Sequence, residues 1–191
     1  MRISHGQTPG KCEPASGWRS LHVLLLALFL NACGPNLEVV QEDGTEYQVY
    51  QDTETHRTVR HGYYRAFYEG GIQKTEGQYE HGFRTGLWTE WYQNGQKQSE
   101  LDWVDSKPEG TVKEWYENGQ QRNLGTWQNG GRHGLSVWWY DTGIKAKEVT
   151  YVNGEPDGVW AYWDSTGAPL KKQYWQRGEF LRVEDLGTPQ K

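Results

Sequence analysis

Aliphatic bulk is what this chain lacks. From Cys33 onward Leu, Ile, Val and Phe number 24 of 159 residues, under the roughly 20% below which a highly charged chain defaults to disorder. An ordinary aliphatic core is therefore excluded. Positive charge is also short, with 20 Lys and Arg against 25 Asp and Glu. That balance argues against a nucleic-acid partner, which needs a basic face. Catalytic signatures are missing too: no G-x-S-x-G, no P-loop, no H-E-x-x-H and no EF-hand spacing. No metal, no cofactor and no enzymatic activity are expected. His56, His61, His81 and His133 stand at no ligand spacing supported by a third donor, and read as solvated loop residues. What is present is aromatic: ten Trp and twelve Tyr from Cys33 onward. Each such ring can bury about 150–250 Å², so the core is expected to be built from rings.

Cysteine is scarce, and both copies lie near the N-terminus, at Cys12 and Cys33. Arg2, Lys11 and Arg19 give a positive start, followed by the apolar run "LHVLLLALFL" from Leu21 to Leu30. Ten residues fall short of the roughly 20 that a membrane-spanning helix needs, and suit the apolar region of a secretory signal. The run ends in "LNAC", Leu30 to Cys33, which resembles the lipobox of bacterial lipoproteins. The resemblance implies removal of residues 1–32, with Ala32 the last residue cut away and Cys33 the acylated anchor. Gly34 is not the Asp associated in that family with inner-membrane retention, so the implied location is the outer membrane, facing the periplasm. The processed chain would carry 17 basic and 24 acidic residues, a net charge near −7, which disfavours electrostatic adhesion to anionic lipid. It would hold no free thiol, hence no disulfide, thiolate nucleophile or cysteine metal site.

A fixed period governs the rest. Gly62, Gly86, Gly110, Gly134 and Gly158 are each 24 residues apart. Gly71, Gly95, Gly119, Gly143 and Gly167 keep the same step. So do Phe67, Trp91, Trp115, Trp139 and Trp163, and so do Tyr79, Trp103, Trp127, Tyr151 and Trp175. Four columns in phase over five copies define a repeat.

Each copy reads as a hairpin. An aromatic strand such as "LWTEWY" meets a turn at Asn94-Gly95, Asn118-Gly119, Thr142-Gly143 or Thr166-Gly167. Asn-Gly is a strong hairpin signal because both residues tolerate positive φ. A second strand follows, then a longer Gly-rich link such as "VNGEPDG" from Val152 to Gly158. A breaker every 9 to 15 residues leaves no room for helix. Two registers are open. A two-residue turn sets the Trp91 and Trp103 columns on opposite faces. A three-residue turn with Gly95 left-handed sets both on one face, and this is the favoured expectation because that face then holds most of the apolar mass.

The pattern G-x-W-x-x-W-Y-x-N-G-x, clearest in copies two to four, resembles the bacterial variant of the MORN repeat. Copy three departs at Val112, where Trp88 stands in copy two, and copy five replaces the Tyr by Asp164. The resemblance covers Gly62 to about Phe180. It implies an all-β fold, an elongated single-layer antiparallel sheet of stacked β-hairpins. The expected organisation is a signal at 1–32, a lipidated tether at 33–45, capping strands at 46–61, five repeats at 62–180 and a polar tail at 181–191.

The aromatic columns carry the functional expectation. Phe67, Trp91, Trp115, Trp139, Trp163, Trp103, Trp127 and Trp175 are expected as repeat-core rings. Neighbours in a strand face opposite ways, so Trp138 and Trp139 cannot both be interior in one layer. Trp88, Tyr92, Trp138, Tyr140 and Trp160 are therefore the candidate binding aromatics. Glu76, Glu100 and Glu148 share a repeat position, interrupted by Leu124, and adjacent copies are expected about 9–10 Å apart. They are weighed as a glycosidase-like carboxylate pair, against a solvated face that offsets Lys97, Lys145 and Lys147. The leading expectation is a lipid-anchored, non-enzymatic envelope scaffold that binds another protein. The alternatives are a cell-wall or carbohydrate-binding module, as in the Trp- and Gly-rich hairpin repeats of choline-binding proteins, and an antitoxin or periplasmic immunity protein, a label some MORN-like bacterial proteins carry.

Overall fold

A computed structural model describes residues 34–187; the signal, Ala32 and Cys33 lie outside them. The described residues contain no helix and form one antiparallel sheet. In chain order the strands are β1 (Glu38–Glu42), β2 (Thr45–Gln51), β3 (Thr58–Phe67), β4 (Gln73–Glu80), β5 (Phe83–Trp91), β6 (Lys97–Val104) and β7 (Lys107–Trp115). There follow β8 (Gln121–Gln128), β9 (Gly131–Arg132), β10 (Gly134–Trp139), β11 (Lys145–Val152), β12 (Glu155–Trp163), β13 (Pro169–Gln176) and β14 (Glu179–Asp185). Each strand pairs with its sequence neighbour, except that β8 pairs with both the two-residue β9 and β10. The result is an open sheet with β1 and β14 as its edges.

The 24-residue period is visible as register. Gly62 pairs with Tyr79, Gly86 with Trp103, Gly110 with Trp127, Gly134 with Tyr151 and Gly158 with Trp175. Five times a glycine at positive φ, from 63° at Gly86 to 88° at Gly62, faces a large ring across the ladder, a backbone conformation that other residues rarely adopt.

Two kinds of turn alternate. Within a repeat, Tyr92 N donates to Gln96 O and Gly95 N to Tyr92 O. This is the three-residue loop, with Gly95 at φ +83° closing it as the left-handed residue. Between repeats the chain reverses in two residues, both at positive φ, as at Asn153 (50°) and Gly154 (86°), the geometry that matches strand twist. The stretch expected as a long link is thus a tight turn, with Val152 and Glu155 already paired.

The three-residue turn does not have the expected consequence. Register shifts once more between Glu90 and Trp91, which pair with Ser99 and Lys97 and leave Gln98 as a bulge. The same shift recurs at Ala66/Phe67, Glu114/Trp115, Trp138/Trp139 and Tyr162/Trp163. A bulge inserts one residue and reverses side-chain parity beyond it. Trp103 therefore shares a face with Gly86 and Trp88, while Trp91 lies on the other. The expectation that both columns share a face is corrected by this bulge.

The face bearing Trp88 holds the most deeply buried side chains. Trp88 is 3% exposed, Val112 6% and Val149 1%. Size alternates across neighbouring strands. Trp88 lies over Gly77, where an added Cβ would fall 2.2 Å from its Cδ2. One repeat later the smaller Val112 stands where Trp88 did, and Leu101 takes the place of Gly77. Buried indoles also need a hydrogen-bond partner: Trp88 Nε1 donates to Gln78 O and Trp160 Nε1 to Thr150 O.

The ends differ from expectation. The stretch read as a tether contains β1, paired with β2 from Glu38↔Val49 to Glu42↔Thr45. The stretch read as a polar tail begins inside β14, which pairs with β13.

Candidate functional site

Two of the candidate binding rings belong to the interior. Trp88 is buried and packs edge-on to Tyr79 at 5.1 Å. Trp160 lies between Tyr151 and Trp175, with centroids 5.2 and 5.1 Å away. Trp103, Trp127 and Trp175 are half-buried on the same face. Arg84 sits over Trp88 and Trp103 at 4.2 and 5.1 Å. Arg132 lies 5.5 Å from Trp127 and 5.2 Å from Trp138. These guanidiniums join one ring to the next, so cation–π contact supplies part of the cohesion that aliphatic packing gives elsewhere.

Tyr92 and Tyr140 are tied into a ladder that sequence reasoning missed. Tyr68 OH donates to Trp91 O, Tyr92 OH to Trp115 O, Tyr116 OH to Trp139 O and Tyr140 OH to Trp163 O, all at 2.8–2.9 Å. Asn94 Nδ2 to Glu117 O and Asn118 Nδ2 to Asp141 O repeat the same reach at the turns. Asp164 stands where the next Tyr would, and among the described residues no further three-residue turn follows its own. Its carboxylate instead accepts from Thr166 N, Thr166 Oγ1 and Ala168 N. The Thr166 hydroxyl and these amides hold its pKa below the usual value.

The histidines do structural work. His61 Nδ1 accepts from His81 N, and His133 Nδ1 from Asn153 N. Glu109 and Asp157 accept from Asn129 N and Arg177 N in the same way. Each side chain caps the first residue of an inter-repeat turn 20 residues on, so the reading as solvated loop histidines is corrected for His61 and His133. Phe67, Trp91, Trp115, Trp139 and Trp163 are half-buried on the opposite face. The carboxylate column lies on that face as well, and its members are paired: Glu76 with Arg65, Glu100 with Lys97 and Lys113, Glu148 with Lys145. A row of such ion pairs is a surface salt-bridge ladder. Lys147, grouped with these lysines by sequence, faces the other way.

Trp138 is different. On its face the direct cross-strand partners run Trp138, Lys147, Tyr162, Lys171 over β10 to β13. Lys147 Nζ is 4.1 Å from the Trp138 centroid, and Lys171 Nζ 5.0 Å from that of Tyr162. Burial, with the nearby Arg132 charge, lowers the Lys147 pKa. These four side chains line an open cleft of about 380 Å³, flanked by Tyr116 and Arg122. None of its lining residues is acidic. Among the described residues Arg122, Lys147 and Lys171 make no ion pair.

Residues 84–105, 108–129 and 132–153 each match the family described as MORN repeat variant. These three units are MORN repeats. Each matched unit is one hairpin running between successive two-residue turns. The same strand register continues outside the matched units in the pairs Gly62↔Tyr79 and Gly158↔Trp175. No curated protein matches the chain. Among solved structures, a mutant of S. aureus TarM in complex with fondaparinux, alpha-GlcNAc-glycerol and UDP overlaps 64% of this chain at 12% identity and a TM-score of 0.29. The overlap spans 21% of that protein and carries no inference about this one.

Proposed function

We propose that the chain is a lipid-anchored, non-enzymatic binding scaffold of the cell envelope. In this reading Cys33 carries the anchor, the outer membrane is the site, and the MORN sheet presents its ring-and-cation row to an envelope protein or a cell-wall polymer. One observation carries the binding part: Lys147 and Lys171 are held against Trp138 and Tyr162 without carboxylate partners, whereas Lys97, Lys113 and Lys145 on the opposite face are paired to Glu100 or Glu148. Charges left unpaired beside half-buried rings suit recognition better than cohesion. A non-enzymatic role is supported by the engagement of the carboxylate column in ion pairs, which leaves no convergent acid and base there. The anchor is supported by "LNAC", since acyl chains remove the need for a membrane-binding protein surface.

The test is metabolic labelling with palmitate followed by membrane fractionation. The wild type is expected to carry label and to sediment with outer membranes, and Cys33→Ser to do neither. Label retained by Cys33→Ser would overturn the anchor.

A further inference from the structure

The row Trp138–Lys147–Tyr162–Lys171 has a chemistry of its own. Each neighbour is a direct cross-strand partner, so ring and ammonium alternate at the strand spacing of about 4.8 Å. Like groups recur every roughly 9–10 Å. The corresponding row in earlier repeats has a different character. Where Trp138 and Tyr162 stand, copies two and three carry Glu90 and Glu114. Where Lys147 and Lys171 stand, they carry Ser99 and Asn123. There Ser99 Oγ donates to Glu90, and Asn123 is buried with its amide on Val137 O. The change from acidic to basic is thus confined to copies four and five. It also runs against the sign of a chain with more acidic than basic residues.

The geometry points to a linear acidic polysaccharide, bearing a carboxylate on alternate sugars, as the occupant of this row. Its carboxylates meet Lys147 and Lys171, and the apolar faces of the sugars pack on Trp138 and Tyr162. Three observations favour this occupant. The first is charge: three unpaired cations and no acid line the cleft. The second is period, because one charge per two strands matches a polymer with one charge per two units. The third is the place of the row on the sheet. It lies on a face, where only side chains are offered, whereas an extended peptide takes its affinity from main-chain hydrogen bonds at an edge. The free edges here are β1 and the outer side of β14. Asp185 pairs across the ladder with Lys171 at the outer end, and Glu114 stands beyond Asn123 at the inner end, so the basic stretch is bounded by one acidic residue on each side. This inference rests on the scaffold reading above and gives that scaffold a ligand class.

The experiment is binding of the full chain, purified in detergent, to three probes followed by Trp fluorescence and calorimetry. The probes are hyaluronate oligosaccharides, neutral chito-oligosaccharides and poly-glutamate. Hyaluronate is expected to bind with salt-weakened affinity and to perturb Trp fluorescence. Lys147→Gln with Lys171→Gln is expected to weaken it about tenfold or more, and Trp138→Leu to weaken it similarly. Lys97→Gln, on the opposite face, is the folded control and is expected to bind like the wild type. Equal binding of the neutral oligosaccharide overturns the role of the lysines. Equal binding of poly-glutamate overturns the sugar and favours an acidic protein. No binding of hyaluronate by a folded wild type overturns the proposal, while palmitate labelling at Cys33 reports on the anchored scaffold separately.

Discussion

The hydroxyl of Tyr116 donates to the backbone carbonyl of Trp139 at 2.9 Å, from one repeat to the next. The bond ties the start of one three-residue turn to the last strand residue before the following turn. A neutral hydrogen bond contributes about 1 kcal/mol net. Tyr116→Phe is expected to lower stability by about that amount, with Tyr92→Phe adding a similar and nearly independent loss. Urea denaturation of the two singles and the double checks this. A double mutant no less stable than either single would remove the ladder from the account.

Asp164 ends the ladder by holding its own turn, through Thr166 N, Thr166 Oγ1 and Ala168 N. Asp164→Tyr restores the repeat consensus, yet is expected to lower the melting temperature at neutral pH. The folded-state pKa of Asp164 lies below its ordinary value, chiefly through the Thr166 hydroxyl. Its stabilisation is therefore complete above the ordinary carboxylate range and disappears as pH falls through the lowered value. The gap between wild type and Asp164→Asn should close on acidification. Paired melting curves at neutral and acid pH measure it.

Gly77 and Trp88 fit as small under large. Gly77→Leu alone is expected to cost about 1–3 kcal/mol through overpacking, and Trp88→Val about 3–5 kcal/mol through the cavity it leaves. Together they reproduce the Leu101 and Val112 combination of the next repeat. The double variant is expected to be more stable than Trp88→Val alone, a coupling read from a double-mutant cycle in denaturant.

Tyr63 is pushed up to about 12, first by burial and then by its hydrogen bond to Glu46. Its protonated form is favoured by the fold. That contribution is intact below the ordinary tyrosine value of about 10 and is lost as pH rises through the folded value. Ultraviolet titration should show Tyr63 among the phenols that ionise late, and Glu46→Gln should bring it earlier without a change in sheet content.

The period, the hairpins and the absence of helix were legible because glycine and ring columns repeat in the sequence itself. Gly95 was legible as the left-handed residue for the same reason. The choice of faces was not. It depends on Gln98, a bulged residue with no distinctive chemistry, and one such insertion reverses every side chain beyond it. The Tyr92 column was read as available for binding because a hydroxyl reaching a backbone carbonyl 23 residues away leaves no mark in local pattern. His61 and His133 were missed as turn caps because Glu109 and Asp157 fill the same place with different chemistry. Trp138 was legible through its adjacency to Trp139. Its partners Lys147 and Lys171 were not, since only the register sets them beside the rings.

In the proposed function, the Trp138 face of copies four and five meets a ligand in the envelope. Photo-crosslinking in intact cells, with the reactive residue at Ala146 beside the row or at Thr111 on the opposite face, tests it most directly. A discrete high-mass adduct is expected from Ala146, absent from Thr111 and lost when Lys147 and Lys171 are both changed to Gln. Adducts of equal yield from the two positions, or none from Ala146 in correctly localised protein, would contradict it.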